Sequence, residues 1–189
     1  MKLIKDRDRR TVYRKLKKEA YDSLLTLSVS DKTYTQRLLD EGTIVTAEGE
    51  PDFYIEKGAI QQYVDSFPDD IVGTINLGHL PFAQFPIILG TWSKEDLEVV
   101  DIGDGRKGLN VNFRLNTNLH IVQDLLMMPY DLGISSEVYL TWDKEASEKV
   151  SKELGAYVPV AKGIYIEDFA IVGEAGNVNS SGLDLKGDN

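Results

Sequence analysis

The stretch LEVVDIGDGRKGLNVNFRL, residues 97–115, has the pattern of a β-hairpin. Residues 97–101 and 109–115 are strand-like, and Gly103-Asp104-Gly105-Arg106 stands between them. An Asp-Gly pair tolerates the positive φ angles that a tight hairpin turn requires. The stretch therefore predicts two neighbouring antiparallel strands joined by a short turn.

Other short strand-like segments recur along the chain. They are residues 43–47, 52–56, 71–77, 87–92, 138–142, 157–160 and 164–172. Few helical segments separate them: residues 58–67 before Pro68, residues 119–126 before Pro129, and residues 144–154 before Gly155. Many short strands with few helices favour an α+β fold, a mainly antiparallel closed β-barrel surrounded by a few helices, over a doubly wound sheet.

Length and composition indicate one globular domain, because 189 residues with 42% hydrophobic content can bury a core. No apolar run approaches the roughly 20 residues that cross a bilayer, so no membrane partner is expected. The start, MKLIKDRDRR, lacks the apolar region of a secretion signal. The absence of cysteine fits a reducing cytosol and leaves no thiolate for catalysis.

The net charge of −10 is unevenly distributed, because residues 1–18 hold nine basic and two acidic side chains. Apolar residues at helical spacing over residues 9–27 predict an amphipathic helix with a basic first half. This segment is either a docking arm for an acidic partner or a solvated helix face. The acidic remainder argues against nucleic acid as the main ligand.

These patterns divide the chain into three parts. Residues 1–30 form a basic N-terminal helix or arm, and residues 31–178 form the barrel domain. The small polar residues at 179–189 predict a flexible tail.

The two histidines make the search for a catalytic base short. His79 ends a strand in NLGHLPF, where functional groups are often mounted. His120 lies at a predicted helix start and is more typical of a surface or half-buried position. Asp168 interrupts an apolar strand, so its carboxylate either faces solvent or is buried with a partner. By strand alternation, its neighbour Glu167 faces the other side, and both acids could also belong to a solvated edge.

Two adjacent serines, Ser135 and Ser136, occur at the predicted strand entrance in DLGISSEVYL. A serine nucleophile needs a base, and the base needs a group that orients it. The chain can supply His79, one of the two serines, and Asp168. It has no nucleophile-elbow, P-loop or HExxH pattern, and a zinc site is not expected from two separated histidines. We therefore expect neither a metal nor a cofactor.

Several short segments occur in the order found in one family of viral enzymes. They are Glu56-Lys57-Gly58-Ala59-Ile60, Ile75-Asn76-Leu77-Gly78-His79, Pro86-Ile87 with Gly90, Gly133-Ile134-Ser135, and Asp168-Phe169-Ala170-Ile171-Val172 followed by Ala175-Gly176-Asn177. On these segments, residues 54–177 resemble the head maturation (prohead) proteases of tailed bacteriophages. The resemblance implies the fold that this family shares with the herpesvirus assemblin proteases.

The resemblance implies a role for each candidate residue. Ser135 matches the family's nucleophile and is preferred over Ser136, His79 matches the base, and Asp168 matches the acid and is preferred over Glu167. A Ser-His-His triad of the assemblin type would instead require His120. That residue precedes the serine in the chain, so the acid version is preferred.

The resemblance also implies a setting: a serine endopeptidase that processes the phage major capsid protein, the scaffold protein and itself. It would act in the bacterial host cytoplasm, inside the immature capsid, and the polar tail could lead into a scaffold region. The related viral enzymes work as dimers, so a homodimer is expected, and the helix at residues 119–128 either supplies its contact or packs on the barrel. Departures from the family's pattern at Leu80 and Glu137 leave an inactive protease-fold scaffolding module as the alternative.

Overall fold

A computed structural model describes residues 16–17, 32–45, 51–78, 87–128, 132–173 and 183. The strands are β1 (Leu16–Lys17), β2 (Thr33–Asp40), β3 (Gly42–Val45), β4 (Pro51–Ile55), β5 (Ile71–Leu77), β6 (Ile88–Ser93), β7 (Leu97–Gly103), β8 (Arg106–Leu115), β9 (Gly133–Asp143) and β10 (Val160–Val172). The helices are α1 (Ala59–Ser66), α2 (His120–Met127) and α3 (Lys144–Leu154), with a 3-10 turn at Lys94–Asp96.

All ten strands belong to one sheet, in the order β2-β8-β6-β5-β10-β4-β3, with β1 on β5, β7 on β8 and β9 on β10. The pairings are antiparallel except those of β10 with β4 and β5. The terminal strands of this order, β2 and β3, are consecutive in the chain and contact each other, and β2 also contacts β9. The sheet therefore curls into a nearly closed barrel with a few helices around it, which confirms the predicted fold class.

The predicted hairpin is present as β7 and β8, which pair antiparallel from Leu97 opposite Val111 to Gly103 opposite Arg106. Its turn places Asp104 and Gly105 at φ angles of 55° and 68°, as the Asp-Gly pair predicts. The Gly103 N–H donates to Asp101 Oδ1 at 2.9 Å. This bond, together with the nearby Lys107 ammonium, lowers the pKa of the Asp101 carboxyl.

Three elements differ from the sequence prediction. Strand β2 has no predicted counterpart, although Tyr34, Gln36 and Leu38 are buried at alternate positions. The predicted strand at residues 157–160 is wrong except for Val160, and the predicted strand at residues 164–172 begins earlier, so that β10 runs from Val160 through a bulge near Gly163. Strand β9 starts at Gly133 rather than at residue 138.

The predicted N-terminal helix also differs where it is described. Its residues Leu16 and Lys17 form strand β1, which pairs with β5. The remainder of this segment lies outside the described residues. The same holds for the predicted tail except Leu183, which pairs with Leu132.

The core is organised around Trp92, whose ring packs in a tilted arrangement against Phe169, at 4.7 Å between centroids, and against Phe67, at 5.0 Å. Phe67 follows α1, so this packing attaches the helix to the sheet. Gly73 lies opposite Trp92 on β5, and a Cβ atom there would come within 2.1 Å of the indole ring. The absence of a side chain at residue 73 therefore makes room for the indole.

Helix α2 covers part of the same core through Val122 and Leu125, which are buried. These contacts favour packing on the barrel, rather than a dimer contact, as the role of this helix. Met127, at the end of α2, is 81% exposed.

Glu41 joins β2 to β3 and is 1% exposed. One carboxylate oxygen accepts from the Gly58 N–H at 2.7 Å, and the other accepts from the Lys107 N–H at 2.9 Å. The Glu41 N–H donates in turn to the carbonyl oxygen of Lys107 at 2.8 Å. A single side chain thus links the β2–β3 connection, β8 and the start of α1. Backbone N–H groups provide the compensation that a buried carboxylate requires.

We expect Glu41→Ala to lower the free energy of unfolding by about 2–4 kcal/mol, because buried N–H groups lose their acceptor. Urea denaturation followed by circular dichroism measures this. Glu98→Ala is the matched control, because Glu98 is exposed on β7 and its loss should cost no more than about 0.5 kcal/mol. Equal losses in the two variants would contradict the linking role of Glu41.

We expect Gly73→Ala to destabilise the protein by about 1–3 kcal/mol or more, because the buried Trp92 ring cannot move aside without disturbing its aromatic packing. Gly163→Ala is the control, since its Cβ would meet Thr141 at an ordinary 3.5 Å. Thermal unfolding of both variants checks this. Similar melting temperatures for the two would show that the Gly73–Trp92 contact is not restrictive.

Candidate active site

Both candidate serines lie inside β9 rather than at a strand entrance. Ser135 is opposite Ala170 of β10, and Ser136 is opposite Phe169. Directly opposed residues share a face of the sheet, and consecutive residues on a strand face opposite sides. Ser136 therefore shares the face of the buried core residue Phe169, whereas Ser135 shares the other face with Ala170. Both serines are half-buried.

Asp168 lies on the same face as Ser135, and a bulge in β10 puts it there. Ile166 pairs with Val138 and Asp168 pairs with Glu137, so Glu167 is the extra residue between them. Without this bulge, Asp168 would continue the series of core-facing residues to which Ile166 belongs. The extra residue turns Asp168 onto the opposite face of the sheet.

The bulge also affects the prediction that Glu167 and Asp168 face opposite sides of the sheet. The sequence prediction assigned them to opposite faces by regular alternation, and alternation does not hold through a bulge. The preference for Asp168 rests instead on its observed position and burial. Asp168 is 4% exposed, so the prediction of a solvated edge is wrong for this residue.

Asn76 on β5 is a hydrogen-bond partner of the buried Asp168 carboxylate. The Asn76 Nδ2–H donates to Asp168 Oδ2 at 3.0 Å, and Asn76 is 3% exposed. The backbone supports this contact, because Asn76 is opposite Ala170 in the parallel pairing of β5 and β10. Ser135, Ala170 and Asn76 thus form one row across three strands.

Ser135 and Asp168 are diagonal neighbours across the β9–β10 pair. Such neighbours lie roughly 7–8 Å apart. The separation applies to the residue positions, and both side chains project from the same face of the sheet. In a catalytic arrangement an imidazole would lie between them with a hydrogen bond of about 2.6–3.2 Å on each side.

His79 lies outside the described residues, but the residue before it is placed. Gly78, at a φ of 66°, donates its N–H to the carbonyl oxygen of Ile171 at 3.0 Å. Ile171 is opposite Ile134, the residue before Ser135. The described chain after β5 therefore ends at Gly78, one residue before His79 and next to the strand pair that carries Ser135 and Asp168.

His120 is at a different place in the fold. It is the first residue of α2, and its side chain is exposed, as the sequence predicted for a surface position. The described part of the chain contains no cluster of three or more His, Asp or Glu side chains that could hold a metal ion. It also contains no helix long and apolar enough to cross a membrane.

Glu137 adds a second carboxyl group to the face that carries Asp168. The two residues are directly opposite in the register, and the Tyr139 hydroxyl donates to Glu137 Oε1 at 3.3 Å. Like charges in directly opposite positions disfavour each other, so a neutral donor such as Asn76 helps to hold Asp168 in place.

Sequence reasoning missed Asn76 and the position of Glu137. Asn76 had a usable signal, since it is a polar residue within the apolar strand IVGTINL, as Asp168 is within its own strand. Comparisons of the chain with protein-family models, curated proteins and solved structures gave no match. The functional argument therefore depends on the residues themselves.

Proposed function

We propose that this protein is a serine endopeptidase in which Ser135 is the nucleophile, His79 the general base and Asp168 the residue that orients the base. One observation carries the proposal: Ser135 and the buried Asp168 share a face of adjacent strands as diagonal neighbours. The hydrogen bond of Gly78, the residue before His79, to Ile171 of β10 supports it further.

In this mechanism the Ser135 hydroxyl attacks a peptide carbonyl while His79 accepts its proton. Asp168 orients the imidazole and stabilises its charged form. The imidazolium then protonates the leaving amine, and the peptide C–N bond breaks to leave an acyl-enzyme. Water hydrolyses the acyl-enzyme and restores the Ser135 hydroxyl.

The substrates that we propose are the scaffold and major capsid proteins of a phage head, and the protease itself. This part of the proposal is supported by the likeness of the segments around His79, Ser135 and Asp168 to prohead proteases. It places the reaction inside an immature capsid in the cytoplasm of a bacterial host, with homodimerisation as a further proposal.

We expect Ser135→Ala to abolish cleavage of capsid and scaffold proteins, and of the protease itself, because the attacking oxygen is removed. Mass spectrometry of mixtures containing wild-type or variant protein measures the products. Ser136→Ala is the matched control: it removes the neighbouring hydroxyl on the opposite face and should keep activity within about tenfold. Cleavage that survives Ser135→Ala but not Ser136→Ala would move the nucleophile by one residue.

The second candidate function is a scaffolding module that keeps the protease fold without catalysis. The observation that favours it is Glu137 opposite Asp168, because a second carboxylate disfavours the negative charge that the mechanism needs at Asp168.

A fluorophosphonate probe separates the two candidates, since it reacts only with an activated serine. We expect the wild-type protein to form one adduct, located on Ser135 by peptide mass spectrometry, and His79→Ala to lose it because the base is gone. Folded wild-type protein that forms no adduct, and cleaves no capsid or scaffold protein, would favour the scaffolding module.

A further inference from the structure

We infer that Asn76 is a positioning residue for Asp168, a fourth member of the site that acts through the acid rather than on the substrate. The inference rests on the proposed function and adds a residue to it. It comes from a single contact, the 3.0 Å hydrogen bond from Asn76 Nδ2 to Asp168 Oδ2.

Both side chains of this hydrogen bond are buried. Asn76 and Asp168 are 3% and 4% exposed, and a buried amide or carboxylate requires a partner inside the protein. A hydrogen bond to a charged acceptor is stronger than one between neutral groups, and more so where water is excluded. The pair therefore defines the orientation of the Asp168 carboxylate.

The backbone on both sides holds the two side chains in register. Ala170 of β10 is opposite Asn76 of β5, and the next pair along is Ile171 with Leu77. On its other edge, β5 pairs with β6. Asn76 thus projects from a strand with a neighbour on each side, which is the rigid support that a catalytic group needs from the residues around it.

The bond also selects one carboxylate oxygen. A carboxylate can accept bonds at both oxygens, and Asn76 engages Oδ2. An imidazole N–H held by Asp168 is then directed toward Oδ1. The amide would act here as the acid acts on the histidine, by restricting the rotation of the next group.

Asn76 is a neutral donor beside Asp168, in a part of the site that also holds other ionisable groups. Among the described residues on the same face of β9 and β10, these groups are Glu137, Tyr139 and Tyr165, and residues 71–77 of β5 include no ionisable side chain. Of these, a charged Glu137 most directly opposes a charged Asp168. A neutral donor on β5 offsets that effect without adding a charge.

The test compares Asn76→Leu and Asn76→Asp with the wild-type protein. The measured quantity is the second-order rate of Ser135 acylation by the fluorophosphonate probe between pH 5 and 9, normalised to the total reactive serine. Leucine removes the donor at similar volume, and aspartate replaces it with a second negative charge of the same shape. Both changes remove the hydrogen bond to Asp168 Oδ2 and so weaken the orientation of the base.

We expect the acylation rate per reactive serine, measured on the plateau of the pH–rate profile, to fall by about tenfold in Asn76→Leu and by more in Asn76→Asp, because a loosely held Asp168 orients the base less well. A residue with only a structural role would change the amount of folded protein and leave the rate per reactive serine unchanged.

Thr74→Val is the matched control, because Thr74 is 5% exposed on the same strand and two residues from Asn76. It should leave the profile unchanged. If Asn76→Leu does not fold, Asn76→Asp, which preserves shape, decides the question. An unchanged acylation rate per reactive serine in the folded variant would overturn the inference while leaving the proposed protease intact. A Ser135→Ala protein that still reacts with the probe at the same rate would instead overturn the proposed function.

Discussion

The bulge at Glu167 is the constraint on which the candidate site depends. Ile166 faces the core before the bulge, and Phe169 is the next core-facing residue after it. These two residues are three positions apart, whereas regular alternation separates core-facing residues by an even number of positions. Regular pairing would have left Asp168 facing the apolar core, where an ionised carboxylate has no suitable donor. The one-residue shift keeps Ile166 and Phe169 on the core face and turns Asp168 onto the face that carries Ser135 and Asn76.

Among the described residues, the buried carboxylates are those of Glu41 and Asp168, and each accepts from neutral N–H donors. Glu41 accepts backbone N–H groups where β2 and β3 bring the sheet close to closure, so it contributes to the architecture. Asp168 accepts an amide N–H from Asn76 on a neighbouring strand, which places its carboxylate beside the candidate site.

Much of the fold could be predicted because it is encoded locally. The Asp104-Gly105 turn, the helix that stops at Gly155 and the strand at residues 71–77 each have a short-range physical cause. Strand β2 could not be recognised as easily, since TYTQRLLD mixes polar and apolar residues and becomes a strand by pairing with β8. Leu16 and Lys17 show the same limit of local prediction. Apolar residues there recur at helical spacing, but the two residues form a strand by pairing with β5.

For the site, the sequence by itself determined which residue types were present: two histidines, a pair of serines and an acid within an apolar strand. Side-chain alternation on a single strand also made Ser135 and Ser136 unequal. Only the tertiary structure decided which serine shares a face with Asp168, that Asn76 is its partner and that Glu137 lies opposite. Those relations depend on strand register and on one bulge, and register is a property of pairs of strands distant in the chain.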